Sequence, residues 1–425
     1  MAEASRRNKK SKQNIIHDDS YLPLVKKQKK VAPKITSVAT KVLLDDALKG
    51  FTKGNFVCSP FSLEILLGML AFGATSQTLK QLLEFLGHET LDQLRCDSPI
   101  SKLFAQILAN PNGGNGSLEI NLANRVWVAK KLSPVCLLSS YKELISTFKF
   151  RKIIHTVIPE NVLPMENNAP KAVRKINAWA DKKTKGLIPN VVTKNDLTVE
   201  EDLVFANALY FKGIWSNPFK ANMAKEKKFK LINGETVLAP FMTNYDKFHY
   251  GSFSGYSMLE IPYESKEQSK LSMYIFLPDR KDGLQDLLQV FHSDNTLFYG
   301  DFNLERRKLD EVWIPKFKIT YKFEAHDVME EMGLILPFDP NNKEITEIVG
   351  ERIYVSKVLQ KSFIEVDERG TEAAAVSLMF MERGCPRPPT PPPPASFVAD
   401  HPFMFMIRED ASRAVFFIGV VLNPV

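Results

Sequence analysis

Seven histidines and four cysteines are the residues with which this 425-residue chain could bind a metal or build a nucleophile. His17, His88, His155, His249, His292, His326 and His401 include no His-Glu-x-x-His pair, and Cys58, Cys96, Cys136 and Cys385 include no Cys-x-x-Cys pair. Structural and catalytic zinc both need donors clustered in such spacings. No metal site and no cofactor is therefore expected. Gly251-Ser-Phe-Ser-Gly255 has Phe253 where a nucleophile elbow needs its serine. The turn Asn110-Pro-Asn-Gly-Gly-Asn-Gly116 lacks the Gly-Lys-Ser/Thr ending of a phosphate loop. The chain does not read as an enzyme. Its few, scattered cysteines make no disulfide framework, so a reducing compartment is the natural setting.

The unusual chemistry lies in residues 365–397. Glu365-Val-Asp-Glu-Arg-Gly-Thr371 leads into Glu372-Ala-Ala-Ala-Val-Ser377, then the apolar Leu378-Met-Phe-Met381, then Glu382-Arg-Gly-Cys385, then a proline stalk from Pro386 to Pro394. Alanine has the best helix propensity, so 371–376 could be a short surface helix. That reading leaves Leu378-Met-Phe-Met381 with no core partner in sequence. A segment with two states, a loop in one and a strand in the other, accounts for both features. Small residues at Thr371, Ala373 and Ala375 would slip between existing strands. Residues 371–384 contain no proline, which at ~3.3 Å each allows an insertable strand of roughly 45 Å. Proline cannot donate to a central strand, so that strand must end before Pro386.

The elements around this segment follow from periodicity. Residues 38–48 have helical apolar spacing, and Ser62 would cap a helix over 63–74 that is apolar nearly all round and so deeply buried. Helices are also expected at 77–86 and at 171–187, the latter closed by Gly186. The β-branched and aromatic runs 203–212, 271–277, 312–320, 363–366, 403–407 and 415–422 are expected strands, and 312–319 alternates as a strand with one wet face. Early helices followed by long late strands imply an α+β fold with a large mixed or antiparallel sheet, not a doubly wound nucleotide fold.

Composition, with 44% hydrophobic and 25% charged residues, is globular and excludes wholesale disorder, a collagen-like fibre or a coiled coil. No apolar run reaches the ~18 residues needed to cross a bilayer and no hydrophobic signal follows the N-terminus. The expected chain is soluble, monomeric, not secreted and without a membrane partner. Residues 1–34 hold ten Lys/Arg against three acids and thus the entire net charge of +7, leaving 35–425 neutral. The clusters Arg6, Arg7, Lys9, Lys10, Lys12 and Lys26, Lys27, Lys29, Lys30 sit in a polar segment read as a flexible arm. They suit the acidic groove of a nuclear import receptor and also salt-sensitive attachment to nucleic-acid phosphates. A nuclear or cytoplasmic location is expected. The neutral body shows no nucleic-acid module.

Six motifs in order give the body, 35–425, a resemblance to the serpin family, most closely to the intracellular serpins of plants. Asn55-Phe-Val-Cys-Ser-Pro-Phe-Ser62 and Leu70-Ala-Phe-Gly-Ala-Thr75 are similar to the family's first turn and the buried helix behind it. Ile176-Asn-Ala-Trp-Ala180 with Thr184-Lys-Gly-Leu-Ile188 resembles the helix that crosses the main sheet, and Asn207-Ala-Leu-Tyr-Phe-Lys-Gly-Ile-Trp215 a central strand. Glu368-Arg-Gly-Thr-Glu-Ala-Ala-Ala375 resembles the hinge of the reactive loop, which would span about 368–397. Asp400-His-Pro-Phe403 and Phe417-Ile-Gly-Val-Val-Leu-Asn-Pro424 resemble the closing strands.

The resemblance implies a suicide inhibitor: a protease attacks the loop, and the freed loop then inserts as a sheet strand and drags the acyl-enzyme with it. Glu368, Gly370, Thr371, Glu372, Ala373, Ala374 and Ala375 would form the hinge. The family's usual interval from Gly370 puts the reactive bond at Gly384-Cys385. One residue earlier, Arg383-Gly384 offers an arginine for a trypsin-like serine protease or an arginine-preferring cysteine protease, and is the preferred choice. Ser59, Ser62 and Asn207 match a cluster where the family's sheet opens, with Gln360 standing where a histidine is usual; glutamine both donates and accepts. The chain also departs from the family in 148–168 and in its proline-lengthened loop. The competing expectation is a non-inhibitory serpin acting as a binding protein, with Arg383-x-x-Pro386-x-x-Pro389 as a polyproline ligand and the arm for nuclear or nucleic-acid partners.

Overall fold

The computed structural model describes residues 32–94, 118–129, 162–165, 169–197, 203–265, 270–348, 353–371 and 395–425. The basic arm, the turn at 110–116, and the loop residues Glu372, Ala373, Ala374, Ala375, Arg383, Gly384, Cys385 and Pro386 to Pro394 lie outside them. Within the described residues six α-helices and three sheets make an α+β fold.

Helix α1 (Ile35–Ala47), α2 (Pro60–Ala71) and α3 (Ser76–Phe85) come early. In α2 only Glu64 escapes full burial, so its apolar surface packs all round. Its N-cap is Ser59, not the expected Ser62: the Ser59 side chain accepts from Ser62 N at 3.2 Å. Pro60 explains the difference, because the first helical position tolerates a residue with no N–H and a fixed φ. Helix α4 (Ala169–Lys183) is followed by Lys185 and Gly186, both at positive φ. Helix α5 (Leu284–Ser293) and the short α6 (His326–Glu331) complete the set. No helix among the described residues is long and apolar enough to cross a membrane.

The largest sheet has seven antiparallel strands: β1 (Phe56–Cys58), β17 (Val415–Val421), β16 (Phe403–Glu409), β9 (Leu271–Pro278), β8 (Tyr256–Pro262), β7 (Lys247–Phe253) and β10 (Glu305–Lys308), in that order. Strands β16 and β17 are buried at every residue, which is why they read as continuous apolar runs in the sequence. Gly251-Ser-Phe-Ser-Gly255 is the hairpin between β7 and β8, turning at Gly255 with φ +86°. A four-stranded sheet runs β15 (Phe397–Val398), β11 (Val312–Pro315), β6 (Thr236–Met242), β5 (Lys225–Lys230). The third sheet contains β12 (Phe317–Glu324), β13 (Val355–Val366), β4 (Leu203–Ile214), β2 (Leu118–Ala129) and β3 (Val162–Met165), with β14 (Gly370–Thr371) beside β4.

The run expected as one strand over 312–320 is two, parted at Lys316. Pro315 ends β11 in the four-stranded sheet, and the chain crosses at Lys316 to β12 in the third. Proline ends a strand at little cost because it has no N–H to extend a ladder. Strand β13 begins at Val355, well before the expected 363. One face of the third sheet joins the main core through Leu203, Phe205, Leu209 and Phe211. The other packs Val204, Ala206, Ala208 and Tyr210 against Ile176, Trp179 and Ala180 of α4.

Candidate functional site

Parallel pairing of β13 and β4 is the feature that organises the site. Their ladder runs from Val355 opposite Leu203 to Phe363 opposite Tyr210 and stops there. Strand β13 stays paired with β12 out to Val366, and β4 with β2 out to Gly213. The two strands thus form a fork. Into its mouth the chain returns: Gly370 lies opposite Ile214 and Thr371 opposite Gly213, antiparallel to β4.

Gly370 has φ +145°, and a Cβ there would stand 2.0 Å from the Gly213 carbonyl oxygen. Only glycine fits so close an approach at that dihedral. The turn before it is closed by Asp367, whose carboxylate accepts from Arg369 N at 2.8 Å and Gly370 N at 3.1 Å. Trp215 N donates to Arg369 O, Trp215 Nε1 to Asp367 O, and Phe219 N to Glu368 O, at 2.9, 2.9 and 2.7 Å. The Trp215 ring stacks on Tyr263 at 4.5 Å, which fixes the donors. Lys316, at the crossing between sheets, pairs with Glu368 at 2.9 Å, with the Glu368 side chain only 13% exposed. A pair this sheltered is screened less than a surface one.

Deeper in the sheet, Ser59, Ser62, Asn207 and Gln360 come together, each fully buried. Gln360 is level with Asn207 across the parallel seam. Its Oε1 accepts from Ser59 N at 2.7 Å and its Nε2 donates to Ser59 O at 3.1 Å. The amide thus ties β13 to the start of α2. Asn207 Nδ2 donates to Ser62 Oγ and to Asn124 Oδ1, and Ser62 Oγ donates to Asn124 Oδ1 at 2.8 Å. Asn124, opposite Asn207 on β2, is a fifth member that the sequence reading missed. It could have been found as the polar break in the alternation Ile120, Leu122, Asn124, Val126, Val128. Asn207 Oδ1 and Asn124 Nδ2, on the neighbouring strands β4 and β2, are buried without a hydrogen-bond partner, so the network has unused capacity. Cys58 beside it is fully buried, and burial pushes its thiol pKa far up; it is no nucleophile.

Residues 36–424 match the family described as Serpin (serine protease inhibitor). Serpin-Z10 of Arabidopsis thaliana is 38% identical over 384 residues, which cover 87% of this chain and 92% of that protein. Serpin-Z3 of the same plant is 35% identical over 403 residues, covering 92% of this chain and 96% of that protein. The solved native stressed conformation of Arabidopsis AtSerpin1 superposes with a TM-score of 0.77 at 31% identity, covering 92% of this chain and 97% of that one. The chain belongs to the serpin family. It is a serpin of the protease-inhibitor kind, not an enzyme, and its curated relatives include plant Serpin-Z proteins.

Proposed function

We propose that this serpin offers residues 372–397 as a substrate-like loop, and that cleavage after Arg383 lets the upstream part enter the fork as a new strand. The observation that carries the reading is the parallel seam with an antiparallel start beside it. A strand running back from the end of β13 is antiparallel to both β13 and β4, the more stable pairing on each side. Continuing the ladder begun by Gly370 and Thr371 along β4 brings Ala373 opposite Phe211, Ala375 opposite Leu209, Ser377 opposite Asn207 and Met381 opposite Leu203. Strand β4 then ends, two residues short of Arg383. Ala373, Ala375 and Ser377 would then share the face of Phe211 and Leu209, with the larger Met379 and Met381 on the same face at the far end, beside Phe205 and Leu203. Each ladder hydrogen bond gained contributes about 1 kcal/mol net.

Gln360 and its partners would act as the clasp that insertion opens, since a strand entering between Gln360 and Asn207 must part them. Arg383 selects a trypsin-like serine protease or an arginine-preferring cysteine protease as target. Gly384-Cys385 is the next candidate bond. The clusters at 6–12 and 26–30 suit an import receptor or nucleic-acid phosphates and a nuclear or cytoplasmic location. The test is the melting temperature before and after cleavage by a trace of trypsin: a large rise supports strand insertion. An unchanged melting temperature would leave a serpin fold that serves as a binding protein.

A further inference from the structure

Arg369 stands at the root of the loop, and its side chain takes no part in the contacts of the fork. It is exposed while Gly370 beside it is buried, and among the described residues its guanidinium forms no hydrogen bond or ion pair. Arg280, exposed in the turn after β9, is by contrast paired with Asp282 and Asp286. A free arginine followed by glycine repeats what Arg383-Gly384 offers: the side chain that an arginine-specific protease reads, with a small residue after it.

The backbone around this bond is what withholds it. A serine protease takes the scissile carbonyl oxygen into its own pair of N–H donors and the flanking chain as an extended strand. Arg369 O already accepts from Trp215 N at 2.9 Å, and Glu368 O from Phe219 N at 2.7 Å. The Asp367 carboxylate engages Arg369 N and Gly370 N, while Asp367 N donates to Gly370 O at 2.8 Å. The chain here is a closed turn. Cleavage therefore needs an opened state in which β14 has left β4 and the turn has unfolded, and its rate follows the population of that state.

We propose that Arg369-Gly370 is a second substrate bond for arginine-specific proteases, closed in the native fold, and that cutting it disarms the inhibitor. The disarming rests on the reading of 372–397 as protease bait. Hydrolysis breaks the bond between the Arg369 carbonyl carbon and Gly370 N: water supplies the oxygen that makes Arg369 a carboxylate, and Gly370 N leaves as an amine. The chain that follows β13 then ends at Arg369, and the loop stays attached only at its downstream end, through β15. A protease that later attacks Arg383 forms its acyl-enzyme with the detached peptide 370–383, and nothing ties it to the sheet. The order of the two cuts decides the outcome. Cutting at Arg383 first lets Gly370 and Thr371 become the first pairs of a longer strand along β4, which depletes the opened state and protects Arg369.

Arg383→Lys separates the two bonds. An arginine-specific cysteine protease that rejects lysine then reads Arg369 and not the bait, while trypsin, which accepts both residue types, reads the bait afterwards. The full chain carrying R383K is incubated with the first enzyme, the nicked fraction is measured from the fragment that begins at Gly370, and trypsin is then added. On a denaturing gel the share of chains trapped as complex should fall in proportion to the nicked fraction. R383K/R369Q should show no nick and full trapping. Cutting the bait first should slow later nicking at Arg369 by about tenfold or more, since each further ladder bond disfavours the opened state by about fivefold. Nicked chains that trap trypsin as well as intact ones, or an R383K chain that yields no Gly370 fragment, would overturn the proposal. Failure of intact chains to trap trypsin would instead refute the inhibitor reading, while the Gly370 fragment would still decide whether the second bond is cut.

Discussion

Gly370→Ala tests the hinge most sharply. The added Cβ would meet the Gly213 carbonyl oxygen at 2.0 Å and the Ile214 Cα at 2.7 Å, both backbone atoms that cannot swing away, at a φ of +145°. Holding an alanine there is strained by about 1–3 kcal/mol from the dihedral alone. The uncleaved protein can escape by releasing the two-residue pairing of β14. A strand entering the fork cannot, because this is its first pair. At 1.36 kcal/mol per factor of ten, insertion should slow by about 5- to 150-fold. Deacylation of the bound protease is untouched, so the partition shifts toward a cleaved, unproductive product. The assay is a denaturing gel of a trypsin titration, scored as the share of cleaved molecules trapped in complex. Gly234→Ala is the control: its φ is +87° in the turn between β5 and β6, with nothing within 4 Å of the new Cβ. It should lower stability and leave the share intact. An unchanged share in Gly370→Ala would refute the reasoning.

Gln360→Leu leaves the buried Ser59 N–H without its acceptor, which costs about 1–3 kcal/mol and should lower the melting temperature of the uncleaved protein by about 1–4 °C; a calorimetric scan showing no drop contradicts the clasp. Lys316→Met strips Glu368 of its ion pair and should loosen the turn at 367–370, so trypsin should cut after the exposed Arg369 faster than in wild type. Equal cutting rates would show that Lys316 does not hold the turn. Asp400 is pulled down to about 2 by its hydrogen bond to His401 and by Lys281. A carboxylate with a lowered pKa contributes stability above its ordinary value of 3.8 and loses it as pH falls toward 2. The stability gap between wild type and Asp400→Asn should therefore close between about pH 4 and pH 2, and a gap that persists at pH 2 would show that the ion pair is not its source.

Buried strands announce themselves, and surface strands here do not. The runs at 271–278, 403–409 and 415–421 are apolar at nearly every position, so their composition alone marks them. Strand β5 carries one apolar residue, Phe229, among lysines, and its existence depends on β6 and not on its own pattern. The clasp became legible through the family resemblance for Ser59, Ser62, Asn207 and Gln360, while Asn124 needed the cross-strand register to bring it opposite Asn207. The misplaced cap has a local cause: Ser59 and Ser62 are both good caps, and Pro60 reads as a breaker until its tolerance at the first helical position is considered. The fork could not be read at all, because it depends on where a ladder between residues about 150 apart in sequence stops.

A loop that is both bait and strand must be cut at one bond and then trap the protease that cut it, and one experiment reads both. The purified protein is incubated with trypsin and, separately, with a papain-like cysteine protease. The products are then run on a denaturing gel, and the released C-terminal fragment is sequenced. The expected products are a complex that survives denaturation and a fragment beginning at Gly384. Complete cleavage at that bond with no complex, at any ratio of inhibitor to protease, would contradict the loop's double role.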